Sequence, residues 1–86
     1  MNLSFTREGW DDYLAWQGDR RMLRQIHKLI ADIQRGGNSG LGKPEPLRGD
    51  LTGWWSRRIS DQHRLVYRVT DNGIEIAQCG GHYGDR

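Results

Sequence analysis

Residues 36–46 carry four of the glycines and both prolines of an 86-residue chain, and neither a helix nor a central strand tolerates that density of backbone breakers. The chain therefore divides into two stretches of regular structure joined by a loop. Before the loop, apolar residues recur at helical spacing. Trp10, Tyr13, Leu14 and Trp16 predict a short amphipathic helix over 7–17, with Thr6 as its N-cap and Gly18 at its end. Met22, Ile26, Leu29, Ile30 and Ile33 form the buried stripe of a second helix capped by Asp19.

After Gly53 the pattern changes to strands over 54–60, 63–70 and 74–79, separated by Asp61-Gln62 and Asp71-Asn72-Gly73, as in an antiparallel meander. Residues 2–5 suit a further short strand, edge or central. In the middle strand of the meander Leu65, Tyr67 and Val69 share one face, and Arg64, Val66 and Arg68 the other. The expected fold class is α+β: two N-terminal helices on the apolar face of a small, mainly antiparallel sheet, with the opposite face left as a shallow basic surface. A chain of this length suits a single domain over 1–86.

Charged residues make up 28% of the chain and hydrophobic ones 35%, which points away from a disordered or membrane-bound protein. No apolar run approaches the roughly 20 residues that cross a bilayer, and the N-terminus lacks a signal-peptide pattern; a cytoplasmic protein is expected. Cys79, the single cysteine, has no partner within the chain, and the three histidines are scattered, so neither an internal disulfide nor a metal nor another cofactor is expected. The net charge of +2 says little, but its distribution says more. Between 43 and 68 six basic residues face three acidic ones, and five of the six are arginines, whose planar fork matches phosphate.

Cleaving RNA through its own 2′-hydroxyl needs a base, cations for the crowded phosphate and an acid for the departing 5′-oxygen. Glu45 lies between Pro44 and Pro46, which restrict its backbone and aim the carboxylate; by itself it reads as a solvated loop carboxylate. Arg57 and Arg58 are adjacent in a strand and point to opposite faces, so only one joins a given site while the other is solvated; Arg58 is assigned to the site. Arg64, beside His63, serves equally as a surface ion-pair partner. Trp54 and Trp55 also point opposite ways, one into the core and one to the open face. Cys79 reads as an inert buried thiol, and His82-Tyr83 as a frayed strand end. The glycines at 40 and 42 do not form a phosphate loop, since Lys43 is followed by Pro44 and no Ser or Thr completes the motif. These readings reach an α+β domain whose basic sheet face suits RNA.

A resemblance takes the reading further. Gly42-Lys43-Pro44-Glu45-Pro46-Leu47, Leu51-Thr52-Gly53-Trp54-Trp55-Ser56-Arg57-Arg58-Ile59 and His63-Arg64-Leu65-Val66-Tyr67 resemble the YoeB/Txe toxins of the RelE/ParE superfamily. Trp10-Asp11-Asp12-Tyr13, Trp16-Gln17 and the late His82-Tyr83 are similar to the same family, in order along nearly the whole chain. The resemblance implies a RelE/ParE-like fold and a ribosome-dependent mRNA endoribonuclease, homodimeric and neutralised by a YefM-type antitoxin, through which it meets operator DNA. It implies Glu45 as general base, Arg64 as the phosphate-stabilising cation, and His82 with Tyr83 as the acid and substrate-orienting pair, either of them the donor. Arg48, where the family often has lysine, joins Arg58 and Arg68 as substrate-binding cations. A gyrase-inhibiting ParE-like toxin and a non-enzymatic RNA-binding module are the alternatives, and neither needs Glu45. Two features depart from the family pattern: Gly80-Gly81, expected to loosen the approach of His82, and the 84–86 tail, expected to move the terminal carboxylate away from Tyr83.

Overall fold

The computed structural model describes residues 2–80. In chain order the elements are β1 (Asn2–Phe5), α1 (Arg7–Ala15), α2 (Arg20–Gly36), β2 (Glu45–Pro46), a single 3₁₀ turn (Gly49–Leu51), β3 (Trp55–Arg58), β4 (Arg64–Thr70) and β5 (Gly73–Cys79). Both helices begin where capping chemistry dictates. The Thr6 side chain accepts from the Gly9 N–H and the Asp19 side chain from the Met22 N–H, each satisfying one of the donors a helix start leaves open. The Gly18 region separates the helices, with α1 ending at Ala15, two residues short of the expected limit.

The strands form one sheet in the order β1-β5-β4-β3-β2. The three-strand meander is present, with β3, β4 and β5 antiparallel, and β1 adds an edge strand parallel to β5. β1 and β2 are the two opposite edges, so the chain between them must cross the sheet, and α2 does so over one face while α1 follows the edge of β5 beyond β1. Glu45 and Pro46 were expected in the loop but pair with Ser56 and Trp55, so the loop ends in a short edge strand.

The core lies between α2 and the sheet. Ile26, Leu29, Ile30 and Ile33 of α2 meet Leu65 and Tyr67 of β4 and Ile74, Ile76 and Cys79 of β5, with Ile59 at the side. The α2 stripe is thus buried as its spacing requires, at about 1.5–3 kcal/mol for each large side chain removed from water. α1 behaves otherwise. Trp10 and Leu14 are 44% and 43% exposed, and Trp10 stacks on Tyr13 and meets Phe5 edge-on at the outer surface. What α1 buries is its backbone: Gly9 packs so close to β5 that an added Cβ would collide with the Ile76 carbonyl.

α1 also holds the end of β5. The Trp16 indole donates to the Cys79 carbonyl at 2.7 Å, and the Cys79 N–H donates to the Asp12 carboxylate at 2.9 Å. Burial, with the Asp12 charge added, pushes the Cys79 thiol up to about 12. That leaves about a thousand-fold less thiolate than the ordinary value of 9.0 gives at the same pH. A thiol reagent at neutral pH should therefore label Cys79 only in denaturant; rapid labelling of the native protein would contradict this burial. Among the described residues no helix is long and apolar enough to cross a membrane.

Candidate active site on the open face of the sheet

The face away from the helices carries side chains in rows set by the strand register. One row runs Glu45, Ser56, Val66, Gln78 through three successive cross-strand pairs. In the next, Arg58 sits opposite Arg64. Directly opposed residues have Cβ atoms about 4.5–5.5 Å apart, and diagonal neighbours stand about 7–8 Å apart. Glu45, opposite Ser56, is therefore diagonal to Arg58, and Arg58 is opposite Arg64. One carboxylate and two arginines therefore share a corner of the sheet. Among the described residues Glu45, Arg48 and Arg58 take part in no ion pair. Among the described residues the Arg64 side chain donates to the Ser60 carbonyl at 3.3 Å.

Arg48 lies beyond Pro46 and Leu47, and with Glu45, Pro46, Leu47 and Leu51 lines a hollow of about 320 Å³, extending the cationic surface along the edge strand. Arg68 is less available than expected. It is ion-paired with Glu75 at 2.7 Å and lies 4.6 Å from the ring centre of Trp54, a cation–π contact that fixes its plane. The open face is therefore basic at the Arg58–Arg64 corner and balanced at the Arg68 end. Trp55 packs at the margin of the core and Trp54 on the open face, as alternation demands.

Arg57 corrects the expectation that the arginine turned away from the site would be solvated. It is fully buried. Its guanidinium donates to the Asp32 carboxylate at 2.6 Å, to the carbonyls of Leu41, Gly37 and Ser39 at 3.0, 2.7 and 3.1 Å, and to the Tyr67 hydroxyl at 3.1 Å. The Leu41 N–H also donates to Asp32, and this bond first, then Arg57, holds the Asp32 carboxyl below its ordinary 3.8. A single side chain thus ties the glycine-rich loop to α2 and the sheet. Immediately afterwards the Gly42 carbonyl accepts from the Arg58 N–H at 2.7 Å, three residues before Glu45. The signal was in the sequence: Arg57 lies at the inward parity of its strand, between Trp55 and Ile59, both of which turn toward the core.

His82 and Tyr83, and with them Gly81 and the 84–86 tail, lie outside the described residues. Gly80, expected with Gly81 to be a loose connection, is buried at φ +113. Its N–H donates to the Arg64 carbonyl at 2.8 Å, and an added Cβ would fall 2.6 Å from the Trp16 indole nitrogen. Glycine is required here by close packing and by the sign of φ.

These features define a class. A YoeB/ParE toxin from Agrobacterium tumefaciens superposes on 96% of this chain and 100% of its own at a TM-score of 0.91, with 51% sequence identity, which makes this a bacterial toxin fold of the RelE/ParE type. The chain belongs to the YoeB-like toxins of bacterial type II toxin-antitoxin systems, whose family model matches residues 5–83. The toxin YoeB of Streptomyces coelicolor is 54% identical over 84 residues, covering 96% of this chain and all of that protein. Staphylococcus aureus YoeB, solved as a dimer and in a heterotetrameric YoeB-YefM complex, is 46% identical at a TM-score of 0.89, over 96% of this chain and 98% of that one.

Proposed function

We propose that this toxin is a ribosome-dependent, metal-independent mRNA endoribonuclease acting at the Arg58–Arg64 corner. The observation that carries the reading is the placement of Glu45 diagonal to Arg58 and across β3 from the Arg64 row, on the face of the sheet away from α2. Glu45 takes the proton from a ribose 2′-hydroxyl, the 2′-oxygen attacks the adjacent phosphorus, and the bond from phosphorus to the 5′-oxygen breaks. Arg64 and Arg58 stabilise the extra charge on the phosphoryl oxygens, and Arg48 and Arg68 hold flanking phosphates. His82 or Tyr83 protonates the departing 5′-oxygen. Their assignment is supported by Gly80, whose bond to Arg64 leaves only Gly81, at most ~7 Å of chain between Cα atoms, before His82.

The nucleophile belongs to the substrate, so fixing the RNA in place supplies much of the rate; the ribosome provides that fixation, and free RNA is cut slowly. The assemblies of the Staphylococcus aureus relative support a homodimer and a YefM-type antitoxin for this chain. On this reading the toxin acts in the cytoplasm and meets operator DNA through the antitoxin.

Mapping the ends of messenger RNA cut in translating ribosomes tests the reading. A 5′-hydroxyl paired with a cyclic or 3′-phosphate is expected, from protein that contains no stoichiometric metal by elemental analysis. A 5′-phosphate product would overturn it.

A further inference from the structure

The row that starts at Glu45 ends three strands away at Gln78, a span on the order of 14 Å at the usual strand spacing. Gln78 is only 8% exposed, and among the described residues its Oε1 is the one buried side-chain oxygen or nitrogen without a hydrogen-bond partner. Buried acceptors are nearly always satisfied, so one left open marks a place where a donor from outside would be gained at no competing loss. The amide is not sealed in the core. With Leu51, Val66, Ala77 and residues 6–8 at the start of α1, Gln78 lines a hollow of about 400 Å³ on the open face. The walls formed by Leu51, Val66 and Ala77 are apolar and suit the flat face of a nucleobase. The amide at its side suits a base edge, and the terminal torsion of glutamine is soft enough to turn it there.

Resting on the ribonuclease reading above, we propose that Gln78 is a specificity-determining residue that reads an adenine flanking the scissile phosphate. Its carbonyl accepts from the adenine 6-amino group while its amide N–H donates to N7, the bidentate pairing by which glutamine recognises adenine. In single-stranded RNA that edge is free for such contact. Gln78 is far from Glu45 along the row, so it selects the base without taking part in proton transfer.

The test is to map cut sites in translating ribosomes for the wild type, for Gln78→Leu and Gln78→Met, which keep volume and remove the amide, and for Glu45→Gln as the uncut reference. One fixed position beside the cut should favour adenine over the other bases by about 10-fold or more in the wild type, the lower part of the range for a bidentate base contact. Both Gln78 variants should lose most of that preference while cutting non-adenine sites at rates within about threefold of wild type. A preference that survives both substitutions, a wild type indifferent to adenine at every flanking position, or an equal loss at all sites would each overturn the assignment. If the wild type cuts no more than Glu45→Gln does, the ribonuclease reading itself fails, and this inference falls with it.

Discussion

Glu45→Gln should lower the cleavage rate on translating ribosomes by ~100-fold or more while leaving ribosome binding nearly unchanged, since a general base contributes on that order and the amide keeps the shape. The contrast between rate and binding is the informative part. Glu45 sits in a two-residue edge strand, exposed and outside every ion pair among the described residues, so its replacement removes no contact that holds the fold. Single-turnover cleavage and ribosome co-sedimentation, measured on the same preparation, separate the two effects. A parallel loss of binding would make Glu45 a positioning residue instead of the base. A toxin that acted on gyrase, or one that only bound RNA, would keep its potency with glutamine in this position.

The second large effect falls on stability. Arg57→Leu should cost about 3–5 kcal/mol, as breaking a buried charged contact does, and lower Tm by at least about 10 °C in a domain of this size. The leucine fills much of the space but leaves the Gly37, Ser39 and Leu41 carbonyls and the Tyr67 hydroxyl without their donor. Arg57→Lys should recover only part, because an ammonium cannot reach five acceptors with a planar fork. Thermal melts of the three proteins check the order. Asp32 adds a dependence on acid. Its folded-state carboxyl lies below the ordinary 3.8, so its contribution is fully present above that value and is lost as pH falls through the lower folded one. Melts of Asp32→Asn should accordingly show a shallower loss of stability on acidification than the wild type; an unchanged acid limb would mean that Asp32 is not held as described.

Much of this was legible in the sequence, for identifiable reasons. The stripe from Met22 to Ile33 has one buried solution, and the alternation through 64–70 fixes which residues face the helices and which face outward. That is enough to put Arg58 and Arg64 on one surface. Glu45 was singled out by its prolines, but its place beside Arg58 depends on the pairing of β2 with β3, and a two-residue strand leaves no periodic trace. The parallel addition of β1 was hidden for the same kind of reason, since four residues suit either an edge or a central position. Arg68 looked like a free cation because its partners, Trp54 and Glu75, come from the neighbouring strands. The orphan carbonyl of Gln78 depends on a register shift between β4 and β5 beside Val66 and Tyr67, and no local pattern announces such a shift.

The buried guanidinium gathers Asp32, the loop carbonyls, Arg57 itself and Tyr67 from four separate stretches of chain. Contacts so far apart in sequence form late and together, because each loop closure must precede the bond that rewards it. The loop carrying Glu45 therefore has little scope to open on its own, since releasing it strips a charge of its partners at the centre of the molecule. The Leu41 amide, which donates to Asp32, should accordingly exchange with solvent slowly, although the segment is rich in glycine and lies at the surface. A loop composed for freedom is, in this fold, among the last parts to let go.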